Sequence, residues 1–125
     1  MTRRVLVIDD DARVRTAFGE LLSSTTDLVV AASVATASEA CTAAESAEPF
    51  DLAVVDIRLP DPATGLALIR RLARQVPVVA VSISSAHRTA ALTAGATSFL
   101  DKEGRPDTLL AALRAAINLK RRALR

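Results

Sequence analysis

The sequence is poor in several residue types at once. It has one cysteine (Cys41), one histidine (His87), two lysines, and three aromatic residues, all phenylalanine (Phe18, Phe50, Phe99). A lone cysteine cannot close an internal disulfide, so a disulfide framework is excluded and a reducing, cytoplasmic setting is expected. His87 has no cysteine or histidine at ligand spacing, which argues against a zinc site and leaves it as a helix-start residue. Cys41 reads as a small helix-face residue rather than a nucleophile. No apolar run approaches the roughly 20 residues needed to span a bilayer. The short apolar segment after Arg4 has acids directly behind it, unlike a signal peptide. A membrane role is therefore not expected.

Charge of one sign is also lacking. The formal net charge is +2, too small to imply nucleic acid. Arg114, Lys120, Arg121, Arg122 and Arg125 do crowd the C-terminal end. They suit either a nucleic-acid patch or a last helix whose cations match its negative dipole end, leading into a linker. No aromatic or groove-reading motif accompanies them, which favours the second reading and no direct nucleic-acid contact.

What the chain has is aliphatic residues: half of its 125 residues are hydrophobic, enough for one domain with a real core. The strand candidates are Val5–Ile8, Leu28–Ala32, Leu52–Val55, Val78–Val81 and Thr97–Leu100, and most are continuous apolar runs without in–out alternation, as strands covered on both faces are. Helical patterns follow each. The first covers Ala12 to Ser23. The second starts at Thr36, whose spacing to Glu39 is a capping box, and ends before Pro49. The third spans Gly65 to Arg74, and the fourth Ala86 to Ala94, closed by Gly95. The fifth runs from Pro106, at the first helical position, to about Ala123. Alternating β and α units predict an α/β, (βα)₅, doubly wound three-layer sandwich in a single domain, residues 1–125, with about 119–125 as the start of a linker.

In such folds ligands sit beyond the carboxyl ends of the strands. Asp9, Asp10 and Asp11 follow the first strand, Asp56 the third, Ser82 ends the fourth and Lys102 follows the fifth. With strand order 2-1-3-4-5 these groups converge on one crevice. Singly, each has an ordinary use: the aspartates as helix caps or turn residues, Ser82 in a turn, Lys102 in solvent. Together they suggest more. Clustered carboxylates need a cation, and an all-oxygen set favours Mg²⁺. A lysine and a hydroxyl beside them suit phosphoryl transfer to an aspartate.

Four stretches now carry a resemblance. Val5–Asp11 (VLVIDDD), Asp56–Pro60 (DIRLP), Pro77–Ser82 (PVVAVS) and Phe99–Lys102 (FLDK) resemble, in order and spacing, the receiver domains of two-component response regulators, which have a flavodoxin-like topology. The segments Ser82–Ser84 and Asp101–Glu103 look more like receivers of LuxR/NarL-type transcription regulators than like free-standing chemotaxis receivers. The resemblance implies that Asp56 accepts a phosphoryl group from a histidine kinase. It implies that Asp10 and Asp56 ligate Mg²⁺ directly, Asp9 largely through water, and Arg58 through its backbone carbonyl. Ser82 and Lys102 would hold the phosphoryl group, and Phe99, at the aromatic switch position, would turn inward as Ser82 moves. Such a domain is no enzyme beyond assisting its own phosphorylation and dephosphorylation. Its implied partners are the kinase, a fused or separate DNA-binding output domain, and a second copy on phosphorylation.

Three departures stand out. Ser82 replaces the commoner threonine. Ile83 stands where a small residue is frequent and would narrow access to Asp56. The segment Pro60–Gly65 is one residue longer than usual and lacks an Asp-Gly pair. Arg58 and Ser84 flank the site and would tune the phosphoryl lifetime. Three other classes fit less well. A haloacid-dehalogenase-type phosphatase would want an aspartate where Arg58 stands, a flavodoxin would want a phosphate loop where Asp9–Asp11 stand, and no Walker-type loop is present. A phosphorylation-independent interaction module remains the alternative.

Overall fold

The computed structural model describes residues 2–46 and 48–123, with side chains described as far as Leu119. Five strands, β1 (Arg3–Ile8), β2 (Leu28–Val34), β3 (Leu52–Asp56), β4 (Val78–Ser82) and β5 (Ser98–Asp101), form one sheet in the order β2-β1-β3-β4-β5. Every pairing is parallel, as expected. The helices are α1 (Ala12–Ser23), α2 (Ala37–Ala44), α3 (Pro62–Leu72), α4 (Arg88–Ala94) and α5 (Pro106–Ala123).

Strand geometry divides the core in two. Successive strand side chains point to opposite faces, and both faces here are covered. Val5 and Val7 pack with Val54, Val79, Phe18 of α1 and Leu113 and Ile117 of α5. Leu6 and Ile8 pack with Val55, Ala80, Ala40 of α2, Leu68, Ile69 and Leu72 of α3 and Ala91 of α4. Each such large side chain contributes about 1.5–3 kcal/mol on burial. This two-sided covering is why the central strands read as unbroken apolar runs. β2, at an edge, is only partly buried.

Helix starts follow local chemistry. Asp11 caps α1, accepting from the Arg13 N–H. Thr36 caps α2 through the Glu39 N–H, while the Glu39 carboxylate accepts from the Ala35 N–H and the Thr36 hydroxyl. α3 begins three residues earlier than the expected Gly65: Asp61 accepts from the Thr64 N–H, and Pro62 occupies the first turn. The extra residue of this segment is thus absorbed into a capped helix start. The expected fourth helix splits into a 3₁₀ turn, Ser85–His87, and α4, which ends at Gly95 with φ +119°. That left-handed value favours glycine. In the C-terminal basic cluster, Arg114 pairs with Asp27 through two hydrogen bonds. The Lys120, Arg121, Arg122 and Arg125 side chains lie outside the described residues. No described helix is long and apolar enough to cross a membrane.

Gly65 sets how closely α3 approaches the end of β3. A Cβ there would lie 1.7 Å from the Ile57 carbonyl oxygen, a backbone atom that cannot step aside. Gly65→Ala should therefore cost about 3 kcal/mol of stability. A urea unfolding midpoint equal to that of the wild type would show that the helix can shift freely.

Candidate functional site

The carboxyl ends of the central strands bring the expected residues together. Asp56 is the last residue of β3 and continues the row of Leu52 and Val54 that faces α1 and α5. Neighbouring strands flank it on both sides, so it is only 4% exposed. Asp9, the first residue past β1, is 1% exposed. One carboxylate oxygen each from Asp9, Asp10 and Asp56 lie within 4.8 Å of one another. Lys102, immediately after β5, places its Nζ 2.8 Å from Asp9 Oδ2 and 3.1 Å from Asp56 Oδ2.

The two buried carboxylates are held differently. Asp56 Oδ1 accepts from the Arg58 N–H at 3.1 Å, and its Oδ2 accepts from Lys102. Asp9 Oδ1 accepts from the Asp11 N–H at 2.9 Å. Asp9 Oδ2 is buried and faces the Lys102 ammonium at 2.8 Å, an ion pair of hydrogen-bond length. Burial raises the Asp9 carboxyl above its ordinary range. Lys102 and the Asp11 N–H offset this only in part, and the Asp56 charge adds to it. For Lys102, burial would lower the ammonium, but the hydrogen bonds and charges of Asp9 and Asp56 outweigh it and the net shift is upward. The amine thus stays charged at neutral pH.

Ser82 ends β4, buried, with its Oγ accepting from the Ser84 N–H at 3.2 Å. It therefore has the turn role open to any serine. Its own proton has no acceptor among the described residues. The Lys102 N–H donates to the Ser82 carbonyl at 2.9 Å, tying the two residues together through the β4–β5 ladder. Phe99 stands apart: it is buried in the opposite layer, and the Arg88 guanidinium lies 5.2 Å from its ring centroid. The ring is already inward. Ile83 is 62% exposed. Of the three consecutive aspartates, Asp11 serves as the helix cap and points its carboxylate at Arg13.

Sequence reasoning missed one contact here. Arg15 Nη1 donates to the Asp9 carbonyl at 2.7 Å. The available signal was an arginine next to Val14 and three residues before Phe18, on the apolar side of α1. Next to the cluster, and sharing Lys102 and Asp11 with its rim, a groove of about 630 Å³ opens between α1 and α5, lined by Phe18, Leu21, Val81, Leu100 and Leu109.

Three carboxylates against one ammonium leave excess negative charge. An all-oxygen cluster of this kind could hold a hard metal ion.

A family model described as the response regulator receiver domain matches residues 5–114. The chain belongs to this family. This receiver domain is 36% identical over 111 residues to the transcriptional regulatory protein UhpA of Salmonella typhimurium, covering 87% of this chain and 56% of that protein. It is 31% identical over 117 residues to the nitrate/nitrite response regulator protein NarL of Escherichia coli, covering 90% and 53%. The chain thus spans about half the length of these curated relatives. A solved LuxR-family two-component response regulator from Aurantimonas sp. SI85-9A1 superposes with a TM-score of 0.84 at 27% identity, over 94% of this chain and 86% of that one. The likeness to LuxR/NarL-type receivers therefore holds in both sequence and fold.

A carboxyl whose pKa is higher in the folded than in the unfolded state makes folding less favourable as pH rises through that window. Asp9→Asn should therefore melt higher than the wild type at pH 7 without metal, and the gap should close as the pH falls into the ordinary carboxylate range. A lower melting point for Asp9→Asn at pH 7 would mean that the Lys102 contact outweighs burial.

Proposed function

We propose that this receiver domain accepts a phosphoryl group on Asp56 from the phosphohistidine of a histidine kinase, with Mg²⁺ held by the acidic cluster. The observation that carries the reading is the meeting of Asp9, Asp10 and Asp56 within 4.8 Å around an acceptor that Lys102 already touches. Asp10 and Asp56 would be direct ligands, Asp9 a ligand largely through water, and the Arg58 carbonyl a further one. When bound, the ion would offset charge on the transferring oxygens.

The remaining chemistry falls to the chain's own groups. Asp56 is oriented by the Arg58 N–H and attacks phosphorus in line. The new O–P bond forms as the N–P bond of the donor breaks, and the imidazole nitrogen keeps the electron pair. Lys102 then exchanges a carboxylate partner for a phosphoryl oxygen, and the Ser82 hydroxyl, whose proton is uncommitted, donates to another. Because the two are joined through the β4–β5 ladder, their movement would reach β5, Phe99 and the α4–β5–α5 face. Phe99 is already buried under Arg88, so its part in the switch would be a repacking within the core. Arg58 and Ser84, flanking the site, would tune the phosphoryl lifetime.

The likeness to UhpA and NarL supports a transcription-regulatory setting, with a fused or separate DNA-binding output domain and a linker from about residue 119. On this reading the domain works in the cytoplasm, pairs with a second copy on phosphorylation, and catalyses nothing but its own phosphorylation and dephosphorylation.

The test is intact mass after incubation with acetyl phosphate and Mg²⁺. One added phosphoryl group is expected, lost with EDTA and absent in Asp56→Ala. Lys102→Ala should still be modified but fail to change state, read as an unchanged oligomeric state with beryllofluoride. A folded Asp56→Ala protein that still gains an acid-stable, base-labile phosphoryl group would overturn the assignment. Failure of the wild type to gain one would favour a phosphorylation-independent module.

A further inference from the structure

Arg15 is half-buried on α1 and spends its 2.7 Å hydrogen bond on a backbone carbonyl, that of Asp9. Arg13 takes the Asp11 carboxylate instead. Arg15 makes no ion pair among the described residues.

The carbonyl it holds belongs to the Asp9–Asp10 peptide. Every other polar group of Asp9 is held as well: its N–H donates to the Val34 carbonyl at 3.1 Å, Oδ1 accepts from Asp11, and Oδ2 faces Lys102. Asp10 differs. It is exposed, and its carboxylate has no hydrogen-bond or ion-pair partner among the described residues, yet it reaches the cluster. Its aim must come from the backbone. A peptide unit is planar and rigid, so fixing the Asp9 carbonyl fixes the nitrogen of Asp10 and restricts the direction of its Cα–Cβ bond. We infer that Arg15 is a positioning residue: by holding the Asp9 carbonyl it aims the Asp10 carboxylate into the cation site. This rests on the Mg²⁺ reading above.

Simple electrostatics has the opposite sign. A fixed positive charge near the cluster repels a divalent cation, so its removal on charge grounds alone would tighten binding. Loss of positioning weakens it, as loss of groups that orient metal ligands generally does.

The experiment is Mg²⁺ titration by calorimetry of the wild type, Arg15→Met and Arg15→Lys, with thermal melts in parallel. Met keeps an aliphatic stem but has neither donor nor charge. We expect Arg15→Met to bind Mg²⁺ about tenfold more weakly than the wild type, and Arg15→Lys, with one donor and the charge, to recover much of the loss. Should Arg15→Met fail to fold, Arg15→Gln, whose amide ends two bonds short of the guanidinium tip, replaces it with the same expectation. A folded Arg15→Met protein that binds Mg²⁺ as tightly as the wild type, or more tightly, overturns the positioning role alone. A wild type that binds no Mg²⁺ overturns the metal reading and this inference with it.

Discussion

Two buried carboxylates at the ends of adjacent strands repel one another, and the Lys102 ammonium lies between them. Its contacts to Asp9 and Asp56 offset a like-charge pair that the surrounding aliphatic core could not otherwise hold. The balance is incomplete. Burial still raises Asp9, and three carboxylates share one ammonium. A site left slightly too negative is suited to a cation and to an incoming group that gives the lysine a new partner. The same imbalance costs stability that a tidier core would retain, a common condition of functional sites.

The sheet makes this arrangement possible. Its central strands are covered on both faces, so a polar side chain within them would be buried without water. Polar groups are tolerated where the ladder ends, and in a parallel sheet the carboxyl ends of all the strands lie along the same edge. Asp56 and Ser82 are the last residues of β3 and β4, and Asp9 and Lys102 are the first beyond β1 and β5. The close approach of Gly65 to Ile57 lets α3 start beside the segment that follows Asp56.

Much of this was legible in the sequence, for identifiable reasons. Two-sided burial leaves an unbroken apolar signature in β1, β3 and β4, while the partly buried edge strands β2 and β5 showed only by their apolar content. The same signature hid several strand ends: Arg3, Arg4, Asp56 and Asp101 belong to strands by their backbone bonding, though their side chains are polar. α3 was placed late because Gly65 was read as its start, while Asp61 and Pro62, the cap-and-proline pattern, went unused. Asp9, Asp10, Asp56 and Lys102 could be grouped because one rule of fold geometry brings strand ends together. The Arg15 contact could not be read in that way. The place of Arg15 on the apolar side of α1 was visible, but its acceptor is a backbone carbonyl, which no residue type marks. The stacking of Arg88 on Phe99 was likewise invisible, since it joins α4 to β5 through a side-chain angle.

The scarcity of aromatic residues has a spectroscopic consequence. Phe18 lies in the layer beneath α1 and α5, and Phe99 in the layer beneath α2, α3 and α4. With no tryptophan or tyrosine, the protein has little intrinsic fluorescence with which to follow a change of state. Fluorine-labelled phenylalanine would instead give three resonances, that of Phe18 from one side of the sheet and those of buried Phe99 and partly buried Phe50 from the other, so that motion in one layer could be recorded against the other as an internal standard.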